Sequence, residues 1–219
     1  MNSFLTLVQG IGLAYAAGVN LYAAVAVTGL AVRFGWVHGV PTTVESFANP
    51  WVIAIAIALA IIEFVATLIP GVASAWETVH SLIRPPAAAI LAAAIAWHAD
   101  PVIVLVAALL GGAVAISTHT TKLGLRYAID ASPEPVTNGA ANIAELGVVS
   151  TIAIAIWHHP IVTLTIALAV LVALAMLVRF IWKSLRQVFS GRWMPKQGLM
   201  QAPRMDGTRG RPRFEEHED

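Results

Sequence analysis

The chain of 219 residues is 58% hydrophobic and only 11% charged, which excludes the quarter-charged composition of an ordinary soluble domain. Its thirteen basic and twelve acidic residues sum to +1, but eight and five of them lie from Lys183 onward, so residues 1–182 carry only twelve formal charges. There is no cysteine, so disulfides, thiolate metal sites and cysteine nucleophiles are excluded, and a metal would have to rest on His, Asp or Glu.

The start Met1-Asn2-Ser3 offers no basic residue ahead of the first apolar run, which continues to Trp36. A cleaved signal needs a charged start and a short core, so the N-terminus is read as a retained part of the membrane domain. A helix crosses the hydrocarbon with about 20 mostly apolar residues. In chain order the expected elements are an edge segment at 4–18, spans at 20–36 and 51–69, an edge segment at 72–84, spans at 86–98 and 101–117, an edge segment at 118–136, and spans at 139–157 and 160–182. The span at 86–98 is too short alone. Either the amphipathic stretch before Pro85 extends it, or the two form a broken element buried in protein. Alternating Ile and Ala at 51–62 has a strand period, but the length of the run and its lack of turn signals favour helix. Ile69-Pro70-Gly71, Pro85-Pro86 and Ser132-Pro133-Glu134-Pro135 punctuate the run of elements.

The predicted fold is therefore an all-α polytopic membrane protein of about six transmembrane helices with re-entrant or interfacial segments. A threefold internal repeat is also expected. Trp36-Val37-His38, Trp97-His98 and Trp157-His158 each end an apolar run, and Asn49-Pro50, Asp100-Pro101 and His159-Pro160 each open the next. The units would be 4–69, 72–117 and 118–182, parallel repeats related by an axis along the membrane normal. Against this stands the reading that Trp-His pairs mark interfacial belts, where Trp is enriched anyway.

Arg84, Lys122, Arg126, Arg179 and Lys183 fall on one side of this topology and only Arg33 on the other. The positive-inside rule then puts both termini in the cytoplasm of a bacterial inner membrane and the Trp-His turns on the far side. Residues 1–183 form the transmembrane domain, and 184–219 a disordered, charged cytoplasmic tail. The partner implied is the bilayer itself. Nothing points to nucleic acid, and a homo-oligomer stays open.

Chemistry is expected where polar groups interrupt the apolar pattern. Glu77, His80 and Arg84 stand at i, i+3 and i+7, on one helical face, and His119, Lys122 and Arg126 repeat that spacing. Ser117 opens the polar run that leads into Lys122. Glu63 and Glu145 are carboxylates inside spans, where an ionised group costs about 2.5–3.5 kcal/mol on insertion scales and looks for a partner or a cavity. Asn138, Asn142 and Glu145 share a face. The expected partners of the two carboxylates are Arg84, Lys122 or Arg126. If the repeat brings the turns together, His38, His98 and His158 form a candidate metal site. No cofactor is named by any motif, and there is no Gly-x-Ser-x-Gly, phosphate loop or His-Glu-x-x-His pattern.

Asn20-Leu21-Tyr22, Glu63-Phe64, Trp76-Glu77-Thr78-Val79-His80 with Ile83-Arg84-Pro85-Pro86, and Ser117-Thr118-His119-Thr120-Thr121-Lys122, together with the punctuation at 69–71 and 132–135, resemble a bacterial membrane family known as domain of unknown function 4126. The resemblance covers about residues 5–180. It implies a multi-helix integral membrane protein and carries no assigned activity.

The expectation is a small transporter or channel for an ion, a small anion or a lipid headgroup, with its polar site near the cytoplasmic side. That site would comprise Glu63, Glu77, His80, Arg84, Ser117, His119, Lys122, Arg126, Asn142 and Glu145. A non-transporting scaffold is the first alternative, and a membrane-embedded headgroup enzyme the second.

Overall fold

The computed structural model describes residues 2–69, 71–130 and 135–189. These residues contain eight α-helices and no strand: α1 Ser3–Val19, α2 Leu21–Arg33, α3 Thr42–Glu45, α4 Pro50–Ala66, α5 Val72–Ile95, α6 Pro101–Asp130, α7 Pro135–His158 and α8 Pro160–Phe189, with a 3-10 turn at Ser46–Ala48 between α3 and α4. The chain divides into two units, Met1–Ile181 and Trp182–Asp219; of the second, only the last turns of α8 are described.

Side chains at the helix starts explain most boundaries. The carboxamides of Asn2, Asn20 and Asn49 accept from the backbone N–H of Phe4, Ala23 and Trp51 at 2.9–3.0 Å, and the Asp100 carboxylate accepts from Val102 at 2.8 Å. Each satisfies an N–H that has no partner inside its helix. Prolines 50, 101 and 160 open α4, α6 and α8, where a missing N–H costs nothing. At the end of α2, Gly35 turns the chain with φ 69°, so that Trp36 N–H reaches back to Ala31 O at 2.8 Å.

Four helices, α5 to α8, are long and apolar enough to cross a membrane, and the pair formed by Thr42–Ala48 and α4, bent by 73°, makes a fifth span or a re-entrant element. This is an all-helical membrane fold with fewer full-length spans than the six expected. The region read as a span over 20–36 contains α2, a helix of only 13 residues. The segments read as edges at 72–84 and 118–136 are not separate. Residues 72–84 run without a break through Pro85 and Pro86 into the rest of α5, and 118–130 are the end of α6. Proline costs a helix two things, a hydrogen bond and a clash with the preceding turn, yet of the two readings left open for 86–98 it is the extension through Pro85 that α5 shows. Inside a bundle, neighbouring helices compensate. The expected repeat boundary at 117/118 consequently falls within α6. The Trp-His pairs at 36–38 and 97–98 lie just beyond α2 and α5, and Trp157-His158 forms the end of α7. The disordered tail expected from 184 is corrected at its start, because α8 continues to Phe189; Pro70, the stretch 131–134 and residues 190–219 lie outside the described residues.

At the centre α1 packs on α5, α6 and α7, while α2 packs on α4 and α7. The shared core is mostly alanine: Ala14, Ala16, Ala17, Ala24, Ala88 and Ala92 are all sealed from solvent. Small side chains let backbones approach where lipid supplies no hydrophobic drive for helices to associate. A Cβ added to Gly111 would meet Ala92 Cβ at 2.6 Å and Ala14 Cβ at 3.2 Å, and one added to Gly18 would meet Ala115 Cα at 2.8 Å.

Gly111→Leu is expected to lower the unfolding midpoint of detergent-solubilised protein by an amount matching an overpacking penalty of about 1–3 kcal/mol. Gly147→Ala, with nothing within 4 Å of the added carbon, should leave the midpoint unchanged or raise it.

Candidate functional site

Four helices project ionisable groups into one buried cluster. Glu63 comes from near the end of α4, and Glu77, His80 and Arg84 from one face of α5. His119, Lys122 and Arg126 come from α6, and Asn138, Asn142 and Glu145 from α7. Arg84 and Arg126 are 0% and 1% exposed, Glu63 and Glu77 2% and 0%. Such burial is tolerated only when each charge is matched.

The matching is dense. Arg84 donates through Nη2 to Glu63 Oε1 at 2.5 Å and through Nη1 to Glu77 Oε2 at 2.7 Å. Arg126 donates through Nη2 to Asn142 Oδ1 at 2.7 Å and to Glu145 Oε1 at 3.2 Å, and through Nη1 to Asn138 Oδ1 at 3.5 Å. Between the two arginines lies the Lys122 ammonium, with Glu77 Oε1 and Glu145 Oε2 both at 2.9 Å, Val19 O at 3.0 Å and Glu63 Oε1 at 3.2 Å. Val19 O and Glu63 Oε1 accept hydrogen bonds from the ammonium, while Glu77 and Glu145 meet it as ion pairs. Three cations face three carboxylates, so the formal sum is zero.

The break between α1 and α2 belongs to this arrangement. Asn20 caps both helices in an extended conformation, φ −149° and ψ 104°, which frees the Val19 carbonyl for Lys122. Non-helical backbone at membrane depth needs such a partner.

The histidines are oriented by their neighbours. Arg84 Nη1 donates to His119 Nδ1 at 3.0 Å, which requires an unprotonated nitrogen there, so His119 is neutral and presents Nε2–H to Ser81 Oγ at 2.8 Å. The 3.8 Å approach of His119 Nδ1 to Glu77 is then no ion pair. His80 donates from Nδ1 to Trp76 O at 2.8 Å, faces the Tyr22 hydroxyl with Nε2 at 3.1 Å and stacks on the Trp76 ring.

Of the ten candidate site residues, nine meet in or beside this cluster. Ser117 does not: it is exposed and donates to Ala113 O of its own helix. Sequence reasoning missed Tyr22 and Ser81, which reach the histidines from positions with no charge to announce them, and the Val19 carbonyl, whose only signal is the Asn20 cap. The three turn histidines are not brought together, because among the described residues no group of three or more His, Cys, Asp or Glu side chains could hold a metal. His98 instead pairs with Thr42 Oγ1 at 3.4 Å.

Two spaces adjoin the cluster. A cavity of about 360 Å³ is bordered by Lys122, Arg126 and Glu145 at its polar end and by apolar side chains of α1, α6, α7 and α8 elsewhere. A cleft of about 10 Å³, bordered by Asn20, Glu63, Thr67, Asn142 and Glu145, has the size of one water. Glu145 borders both, and its side chain, 20% exposed, is the most open of the three carboxylates.

These features define a polytopic helical membrane protein built around a charge-balanced buried network. The chain belongs to the family described as domain of unknown function (DUF4126), whose model matches residues 7–180. Neither the curated proteins nor the solved structures contain a match.

Removing one member of a buried pair strands the other. Arg84→Met, which leaves Glu63 and Glu77 short of a partner, is expected to destabilise the folded protein by about 3–5 kcal/mol in denaturant titration. Tyr22→Phe, which removes one neutral hydrogen bond, should cost about 0.5–1.5 kcal/mol. Equal effects of the two would contradict this ranking.

Proposed function

We propose that the protein is a membrane carrier for an anionic solute, coupled to a proton through Glu145. The observation that carries this reading is that Glu145 is held to Lys122 by an ion pair alone, beside a cavity. Lys122 gives its hydrogen bonds to Val19 O and Glu63 Oε1, so Glu145 can leave without breaking either, and Glu145 borders open space on two sides. An anion arriving in the cavity meets Lys122 and Arg126, both of which Glu145 now neutralises.

Charge balance constrains the exchange. The network sums to zero, and adding an anion to it at membrane depth would leave an uncompensated charge. Protonation of Glu145 as the anion takes its place restores the sum, so one anion and one proton travel together. The water-sized cleft beside Glu145 gives the proton a polar approach. Arg84, sealed with Glu63 and Glu77, would stay fixed as the scaffold against which the exchange takes place. In this reading both termini face the cytoplasm, in keeping with Arg179, Lys183 and Arg186 near the end of α8 against Arg33 at the end of α2.

The full-length protein in proteoliposomes loaded with a pH-sensitive dye tests the reading. An imposed inward gradient of methanesulfonate, nitrate or phosphate should acidify the lumen for at least one of them, and clamping the membrane potential with valinomycin and potassium should not change the rate for a monovalent anion. Glu145→Gln, folded by its unfolding midpoint, should lose coupled flux by at least tenfold. Flux that ignores the Glu145→Gln change, or no flux of any anion through folded protein, would overturn the proposal; the second result would favour the scaffold.

A further inference from the structure

The cavity beside the network offers more apolar wall than a small anion would use. Only Tyr15, Thr118, Thr121, Lys122, Arg126 and Glu145 bring polar groups to its wall; the rest is hydrocarbon, with Leu125 of α6, Val148 of α7 and Val170, Leu171 and Leu174 of α8 prominent. Its volume lies at the small end of the roughly 300–1,000 Å³ of sites that enclose an organic ligand. A small anion at Lys122 would leave most of that space, and its apolar wall, unused.

The cavity also reaches the lipid-facing side of the bundle. Val148 and Val170 on its rim are 41% and 40% exposed, in helices apolar enough to span a membrane. The α8 wall is the least enclosed of the four long helices, with 11% of its apolar window buried against 28–33% for α5, α6 and α7. A molecule already dissolved in the bilayer can therefore approach the charged end without first crossing water.

From the pairing of two cations at one end with an apolar, lipid-facing remainder, we infer that the solute is a single-chain anionic amphiphile: one negative head seated on Lys122 and Arg126, and a hydrocarbon chain lying along α7 and α8. A cationic head would be repelled by Lys122 and Arg126, and a neutral one would not displace Glu145. The inference rests on the reading of Lys122 and Arg126 as the anion-binding pair, and it adds the chain.

The test is a thermal-shift titration of the detergent-solubilised full-length protein with methanesulfonate, octanesulfonate, octanol and octylammonium. A ligand that binds only the folded state raises the unfolding midpoint. Each methylene withdrawn from water is worth about fourfold in affinity, and competition from the micelle reduces the gain. Octanesulfonate is expected to bind at least tenfold more tightly than methanesulfonate, with octanol and octylammonium giving no stabilisation. Filling the cavity by Ala144→Phe should abolish the octanesulfonate preference, which mere partition into micelles would not do. Leu174→Trp gives a second cavity-filling variant should the first fail to fold. Equal binding of the two sulfonates would overturn the chain while leaving the anion site standing. Stabilisation by octanol or octylammonium as strong as by octanesulfonate would overturn the anionic class. No shift with either sulfonate, in protein that unfolds cooperatively, would overturn both readings.

Discussion

The rest of the structure depends on one constraint: three cations and three carboxylates meet inside the helix bundle, all but Glu145 buried, so each must be held against its partners. Arg84 ties α5 to α4 through Glu63 and Lys122 ties α6 to α4, α5 and α7, while Arg126 ties α6 to α7 through Glu145 and Asn142. Even the break between α1 and α2 is tied to it, since the carbonyl freed at Val19 is spent on Lys122. Van der Waals contact between alanine-rich helices brings the elements close, but it is nearly indifferent to register. A lattice of charge pairs is not indifferent. Shifting α6 by one turn, about 5.4 Å, would take Lys122 out of reach of all three carboxylates.

The same lattice separates into a closed half and an open half. Arg84 with Glu63 and Glu77 is buried, only Glu63 reaching the water-sized cleft, and His119, held neutral, lies against the guanidinium without adding charge. Lys122 and Arg126 share Glu145, and that carboxylate alone borders both a cavity and a water-sized cleft. In the proposed reading the closed half is a frame and Glu145 a replaceable counterion, as binding and release of an anion would require. A network serving stability alone has no need of the open half, and replacing such pairs with apolar side chains often stabilises a protein.

Much of this was legible in the sequence, for identifiable reasons. Composition and run length point to the helical membrane fold. The i, i+3, i+7 spacings of Glu77, His80, Arg84 and of His119, Lys122, Arg126 place each trio on one face, because helical geometry alone decides that. The carboxylates in apolar surroundings predicted their own partners, since an unpaired charge there is not tolerated. Continuity was only half legible: extension of the 86–98 span by the stretch before Pro85 was one of two readings left open, and α5 takes it, while the continuation of α6 past 117 was not foreseen. Pro85-Pro86 and the polar run at 117–122 look like boundaries by local rules, yet neighbouring helices carry α5 and α6 straight through both. Tyr22, Ser81 and the Val19 carbonyl were missed because their roles come from tertiary position, and so was the cavity, which is enclosed by side chains from four helices.

The central claim, that Glu145 gives up Lys122 and Arg126 to an anion and takes a proton in exchange, can be observed directly. Infrared difference spectra of the detergent-solubilised protein, recorded on addition of octanesulfonate, report conversion of a carboxylate to a carboxylic acid. Octanesulfonate suits the purpose because its own head does not titrate. The account predicts a new protonated-carboxyl C=O band in the unmodified protein that is missing from Glu145→Gln. Binding without that band, or a band that persists in Glu145→Gln, would contradict it.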